Sequence, residues 1–163
     1  MGSYDRKAVA TLALSATGLV GIATYEGYSS VAYNDGAGVQ TLGFGSTRGA
    51  DGSPVQPGER TTPARALRQL KADADATERA LVRCLGPVAL AQPEWDAYVS
   101  LAYNIGVGAF CRSTLVKKLK QTPPDYAGAC RELLRWDKAA GLRLAGLTKR
   151  RQAEYALCSK AGA

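Results

Sequence analysis

Apolar residues recur at helical spacing through the stretch that follows residue 61. Charged side chains fill the positions between them, which is the pattern of an amphipathic helix. The apolar positions are Leu67, Leu70, Ala74, Leu81 and Leu85. Thr62 suits an N-cap, Pro63 suits the first helical position, and Gly86-Pro87 suits a stop. The pattern therefore predicts a long helix from residue 63 to residue 85.

Shorter helices are predicted along the rest of the chain by the same spacing and by capping residues. One runs from Pro93 to Ile105 and carries Trp95 on its apolar side. Ser113 is expected to cap a helix that runs to Gln121, and Asp125 to cap the next. Thr148 is expected to cap a final helix that runs to Ser159.

The stretch Tyr25–Thr47 has a different pattern. Glycines alternate there with β-forming residues, including Val31, Tyr33 and Val39, which predicts a small hairpin. A turn-rich loop over residues 48–60 follows it. The expected architecture is α+β, with a small hairpin lobe and a larger helical lobe joined by the long helix.

The N-terminal stretch Ala8–Tyr25 contains no charged residue. Seven of its eighteen residues are strongly apolar or aromatic, and the other eleven are Ala, Gly, Ser or Thr. As one helix it would be about 27 Å long, which is just enough to cross a bilayer core. A cleaved signal peptide, an ordinary core helix and an uncleaved membrane anchor all fit this composition.

The amino-acid composition limits which partners and which catalytic sites are possible. The 163 residues carry a net charge of +7, which favours an anionic partner. The basic residues are scattered along helices without stacking aromatics, so no nucleic-acid partner is predicted. Because the chain has no histidine, it cannot form a Ser-His-Asp triad, a Cys-His peptidase or the usual zinc sites.

The four cysteines are Cys84, Cys111, Cys130 and Cys158. They lack metal-type spacing, so disulfides in an exported protein are favoured over an all-cysteine zinc site or free thiols. Three pairings are possible. Cys111–Cys130 is preferred, since each lies on or beside one of two neighbouring predicted helices.

Three residues of the hairpin stretch could act together. Glu26 follows the uncharged segment, Asp35 comes nine positions later, and Thr41 six after that. A carboxylic acid that protonates a leaving oxygen, opposite a carboxylate and a hydroxyl that hold water, would make a hydrolytic site. Each residue also has an ordinary structural explanation: a solvated helix end, an Asp-Gly turn and a strand threonine.

The spacing Glu-x8-Asp-x5-Thr, with Thr41-Leu42-Gly43-Phe44-Gly45 around the threonine, resembles the phage-type lysozymes (endolysins). The resemblance continues in family order to the C-terminus. It includes the segments 103–110, 113–115, 135–141 and 146–157. Ser46 departs from the pattern, since some members of the family have histidine there.

The resemblance implies a lysozyme-like muramidase that cuts the β-1,4 bond of bacterial peptidoglycan with inversion. Glu26 would be the general acid, with Asp35 and Thr41 positioning water. Asn104 would bind sugar, and either Arg150 or Arg151 would pair with Glu26, with Arg150 the substrate-binding candidate. No metal and no cofactor are expected, and the protein should be a monomer. A lytic transglycosylase or a non-catalytic wall-binding module are the alternatives.

The N-terminal stretch looks like the signal-anchor-release segment of one endolysin subgroup. On this interpretation residues 1–25 form the anchor helix and residues 26–163 the catalytic domain. The protein would be exported to the host periplasm, tethered to the inner membrane through residues 8–25, and then released in soluble form.

Overall fold

The computed structural model describes residues 4–162. Its fold is α+β, as the sequence predicts. The α-helices are α1 (Ala16–Glu26), α2 (Pro63–Leu85), α3 (Gln92–Ile105), α4 (Val107–Cys111), α5 (Thr114–Leu119), α6 (Tyr126–Glu132) and α7 (Ala145–Ser159). The short strands are β1 (Lys7–Ala8), β2 (Ser29–Asn34), β3 (Gln40–Gly43), β4 (Ala89–Leu90), β5 (Lys138–Ala139) and β6 (Leu142–Arg143), and they pair antiparallel as β1–β4, β2–β3 and β5–β6.

Two compact units divide the chain. The hairpin unit comprises Leu19–Ala76, and the helical unit comprises the residues up to Gly18 together with those from Thr77 onward. The boundaries fall within α1 and α2, so the predicted long helix begins in one unit and ends in the other.

The hairpin unit is built on β2 and β3, in which Tyr33 pairs with Thr41 and Asn34 with Gln40. The segment 59–61 lies along the other edge of β2. There the Ala32 N–H donates to the Glu59 carbonyl at 2.8 Å, and the Thr61 N–H to the Ser30 carbonyl at 3.0 Å. The buried apolar residues of this unit are Ile22, Leu42, Val55, Ala66, Leu70 and Ala74.

The helical unit is organised around α3, which is buried from Pro93 to Ala102 and packs against α7. Trp95 and Tyr98 are fully buried within it. Disulfides join Cys84 to Cys111 and Cys130 to Cys158. The preferred pairing Cys111–Cys130 is therefore wrong, because each of these cysteines pairs with a residue on a longer helix, α2 or α7.

Most of the predicted helix ends are confirmed. α2 has the predicted bounds, and Gly86, at φ +66°, ends it by donating its N–H to the Val82 carbonyl. The side chains of Ser113 and Asp125 cap α5 and α6.

One predicted helix start differs from the structure, and one short helix was not predicted. α7 begins at Ala145 and not at Thr148, whose hydroxyl donates to the Leu144 carbonyl inside the first turn. The short helix α4 follows α3 directly after Gly106, at φ +88°, and was not predicted.

In this structure residues 8–25 do not form one helix, and α1 begins only at Ala16. Residues 9–11 form a single 3-10 turn. The Leu14 N–H donates to the Glu78 carboxylate, and the Ser15 N–H donates to Asp96 Oδ1 at 3.0 Å. Ser15 Oγ accepts the Gly18 N–H at 2.9 Å, so this serine caps α1. No helix within residues 4–162 is both long enough and apolar enough to cross a membrane.

Candidate active site

Glu26 is the last residue of α1 and is half-buried. Gly27 follows at φ +71° and donates its N–H to the Ala23 carbonyl at 3.1 Å. A glycine in the left-handed region is a common way to end a helix. The end of α1 thus fixes the backbone that carries the Glu26 carboxyl, at the point where the chain enters the hairpin.

A tight turn from Leu42 to Ser46 lies against that carboxyl. Two backbone hydrogen bonds of 2.9 and 3.0 Å between Leu42 and Ser46 close the turn. Within it, Gly45 has φ +85°, and a Cβ placed there would stand 3.0 Å from Glu26 Oε2. Gly45 therefore provides both the backbone conformation and the space that the Glu26 carboxyl requires.

The turn is also tied to α2. The buried Ser46 hydroxyl donates to Asp73 Oδ2 at 2.7 Å, and Gln69 Nε2 donates to Asp73 Oδ1 at 2.9 Å. These contacts hold the segment that carries Gly45 against a long helix. The Ser46–Asp73 contact was not predictable from the sequence, whereas Gln69 and Asp73 stand four positions apart, a spacing that places them on one helix face.

Asp35 lies in the turn between β2 and β3 and is exposed. Its Oδ1 accepts the N–H groups of Ala37 and Val39 at 2.8 and 3.2 Å. The ordinary explanation of Asp35 as a turn residue therefore holds. Within residues 4–162 no donor bonds to Oδ2, so one carboxylate oxygen remains open to solvent.

Thr41 lies in β3 opposite Tyr33 and is only 4% exposed. Its hydroxyl makes one long contact, 3.4 Å, to the Val39 carbonyl. Thr41 directly precedes the turn that supports Glu26. Glu26, Asp35 and Thr41 thus all belong to the hairpin unit.

The two substrate-binding candidates lie in the helical unit. Asn104 is exposed, one residue before the end of α3. Arg150 is 4% exposed, and its guanidinium donates to Glu154 Oε1 and to the Ser100 carbonyl, both at 3.2 Å. Arg151 contacts Glu154 Oε2 at 2.8 Å.

Burial raises the pKa of Glu154, and the charges of the two arginines oppose that shift. Arg150, Arg151 and Glu154 thus form a buried charged cluster in the helical unit.

No three Cys, Asp or Glu side chains within residues 4–162 come close enough together to hold a metal ion. The hairpin unit does carry carboxyls and hydroxyls, which can transfer protons and orient water.

A helix that ends in a glutamate, followed by a glycine-rich hairpin and a larger helical unit, is the arrangement expected of a lysozyme-type glycoside hydrolase. Comparison with known proteins agrees: the phage lysozyme family model matches residues 23–154, and the chain belongs to this family. The resemblance carried by the motifs is confirmed, and the protein is a glycoside hydrolase.

Individual relatives support the assignment over nearly the whole chain. An endolysin from Acyrthosiphon pisum secondary endosymbiont phage 1 is 43% identical over 152 residues, covering 91% of this chain and 99% of that protein. A SAR-endolysin from Bacteriophage PS119 is 32% identical, covering 97% and 90%. The crystal structure of a P22 lysozyme mutant superimposes with a TM-score of 0.77 at 34% identity, covering 90% and 98%.

Proposed function

We propose that this protein hydrolyses the β-1,4 bond between N-acetylmuramic acid and N-acetylglucosamine in bacterial peptidoglycan, with Glu26 as the general acid. The observation that carries the proposal is the placement of the Glu26 carboxyl over Gly45, at the base of the hairpin. The protonated carboxyl gives its proton to the glycosidic oxygen as the bond to the anomeric carbon breaks. Positive charge then develops on the sugar ring.

Water completes the reaction at the anomeric carbon. Asp35 has one carboxylate oxygen held by the turn and one open to solvent, so it can orient water and stabilise the developing positive charge. The Thr41 hydroxyl adds a second polar group that can position this water. Attack from the face opposite Glu26 inverts the configuration at the anomeric carbon.

Two other functions compete with hydrolysis. A lytic transglycosylase needs the glutamate but no water, so its products would lack new reducing ends. A non-catalytic wall-binding module would release nothing. The presence of Asp35 and Thr41 in the same unit as Glu26 favours the hydrolase over both.

Substrate contacts outside the hairpin unit are part of the proposal. The exposed amide of Asn104 can both donate to and accept from sugar hydroxyls. The contacts of Arg150 with Glu154 and Ser100 favour a structural role. Its contact with substrate, and the pairing of either arginine with Glu26, stay predictions.

The test is the release of reducing ends from purified peptidoglycan by Glu26→Gln. An amide has the size of the carboxyl but no proton to give, so activity should fall about 10²–10⁴-fold with the thermal unfolding unchanged. Glu132→Gln, on α6 of the helical unit, is the matched control and should retain full activity. If Glu26→Gln kept activity within about threefold of wild type, far below the expected loss, Glu26 would not be the acid.

Cellular location is the second part of the proposal. We infer that the protein is exported, tethered to the inner membrane through residues 8–25, and then released as a soluble monomer that acts on the wall without a nucleic-acid partner. The absence of charge over residues 8–25 and the similarity to a SAR-endolysin support this inference.

The contacts of the N-terminal segment suggest how release would be favoured. The buried carboxylates of Glu78, Glu94 and Asp96 accept hydrogen bonds from Leu14, Arg6 and Ser15 respectively. While the segment lies in a membrane these carboxylates would lose those donors and keep only the ones from Trp95, Ala91 and Gln92, and a buried carboxylate with fewer hydrogen bonds is less stable. Release would return the donors and place Glu26 at the end of α1.

A further inference from the structure

The hairpin unit contains a pocket of about 520 Å³. Its floor includes the buried residues Leu42, Val55 and Ala66. Four arginines and one glutamate also line it, and four positive charges minus one negative charge leave a net formal charge of +3. The pocket is thus apolar at its base and strongly basic around its edge.

The arginines converge on the pocket from three separate segments. Arg60 lies in the segment beside β2, where it is paired with Val31. Arg65 and Arg68 stand three positions apart near the start of α2, so they share one side of that helix. Arg48 follows the Leu42–Ser46 turn, and its guanidinium donates to the Gly52 carbonyl at 2.8 Å. Backbone structure, and not chance clustering in one loop, brings these charges together.

Elsewhere in the described chain, arginines commonly pair with carboxylates. Arg6 pairs with Glu94, and Arg143 with Asp137. Within residues 4–162, by contrast, Arg60, Arg65 and Arg68 form no salt bridge, and the first turn of α2 carries no acidic residue. Three like charges around one pocket repel each other unless an anion joins them.

The chemistry of the pocket limits the kind of anion that would bind there. A guanidinium fork matches the oxygens of a phosphate with two parallel hydrogen bonds. The volume lies within the range of about 300–1,000 Å³ that is typical of small-molecule sites, which is far more than an inorganic phosphate fills. The apolar floor offers contact to a hydrocarbon portion of the same ligand.

We infer that this pocket binds the phosphate of an anionic lipid headgroup, with Arg60, Arg65 and Arg68 holding the phosphate and Leu42 and Val55 contacting the adjoining apolar part. The site is separate in chemistry from the proposed hydrolysis, since it needs neither Glu26 nor peptidoglycan. It would give the enzyme an affinity for anionic membrane surfaces that is independent of residues 8–25.

The test is a titration of the full chain with dihexanoyl phosphatidic acid below its micelle concentration, followed by the methyl NMR signals of Leu42 and Val55. We expect saturable shifts at both residues, with binding at least about tenfold tighter than that of inorganic phosphate. Arg60→Gln and Arg65→Gln should each weaken the binding about tenfold, as expected for the loss of a hydrogen bond to a charged group. Arg79→Gln, on an exposed part of α2 outside the pocket, should leave the binding unchanged.

Several results would overturn the inference. These are an absence of methyl shifts, equal binding of dihexanoyl phosphatidylcholine or of inorganic phosphate, and no response to the two arginine variants. A soluble muropeptide that bound more tightly than the lipid would identify the pocket as a carboxylate site and refute the lipid assignment. Because the readout is binding, it stays informative whether or not Glu26→Gln abolishes hydrolysis.

Discussion

The contact between Gly45 and Glu26 predicts a graded loss of activity when side chains are added at position 45. An alanine Cβ would stand 3.0 Å from Glu26 Oε2, whereas carbon–oxygen contacts are ordinarily about 3.3–3.6 Å. The carboxyl would therefore have to move by about 0.3–0.6 Å. Since a misplacement of about 1 Å can cost about 100-fold in rate, Gly45→Ala should lower kcat about tenfold. Gly45→Val, whose two methyl groups demand a larger shift, should lower it about 100-fold.

The same substitutions also strain the backbone, and this effect must be separated from the loss of catalysis. Gly45 has φ +85°, where a residue with a Cβ costs about 1–2 kcal/mol. Gly58 has φ +79° in a loop of the same unit, and a Cβ there would meet nothing within 4 Å. Gly58→Ala is therefore a matched control that shares the strain but leaves Glu26 untouched.

The assay is kcat for release of reducing ends, measured beside the free energy of unfolding in urea. Both alanine variants should lose about 1–2 kcal/mol of stability, but only Gly45→Ala should lose kcat. Should the two alanine variants agree in kcat within about twofold, well below the expected loss, the position of the Glu26 carboxyl would not limit the reaction. The reasoning from Gly45 to general acid catalysis would then be refuted.

Three further predictions concern the membrane, the product and the pH. A Cβ at Gly21 would meet nothing within 4 Å, so Gly21→Leu can be accommodated in the folded protein, and it should strengthen a membrane anchor by up to about 1 kcal/mol. Lysis would then be delayed, and more of the protein would be recovered with membranes. Lysis at the wild-type time by a variant that fractionates as soluble would contradict the anchor. NMR of the first product should show an inverted anomer, and a retained anomer would reject the role of Asp35 in positioning water. The hydrogen bond from Lys118 lowers the pKa of Asp125 below its ordinary value of 3.8. The ionised Asp125 therefore stabilises the folded protein above pH 3.8, and this stabilisation is lost as the pH falls through the folded-state pKa. Thermal melts of wild type and Asp125→Asn should thus differ at neutral pH and converge in strong acid; a constant difference would argue against this linkage.

Local signals explain why so much of the fold was predictable. The bounds of α2 follow from Thr62, Pro63 and Gly86, and the starts of α5 and α6 follow from Ser113 and Asp125. Each acts on backbone groups within four residues, so the sequence alone contains the cause. Thr148 was wrongly predicted to be an N-cap because a threonine hydroxyl can also donate to a carbonyl one turn back inside a helix. In α7 the Thr148 hydroxyl donates to the Leu144 carbonyl.

Long-range pairings were not predictable in the same way. The disulfides join cysteines 27 and 28 positions apart, and no spacing rule separates this pairing from the other two that four cysteines allow. The Ser46–Asp73 bond joins a turn to a helix 27 residues later. Motifs located Glu26, Asp35 and Thr41, whereas the contacts that hold the Glu26 carboxyl in place came only from the structure.

The N-terminal segment shows how distant contacts override a local pattern. Small residues contribute little hydrophobic free energy to a helix, whether it lies in lipid or in a protein core. The composition of residues 8–25 therefore does not decide between a membrane helix and a core helix. In the structure, the N–H groups of Leu14 and Ser15 bond to carboxylates 64 and 81 residues later. A continuous helix would take these N–H groups for its own turns and leave Glu78 and Asp96 with fewer donors, which burial makes costly. The preference for the conformation seen in the structure therefore lies mainly in α2 and α3, which carry the carboxylates.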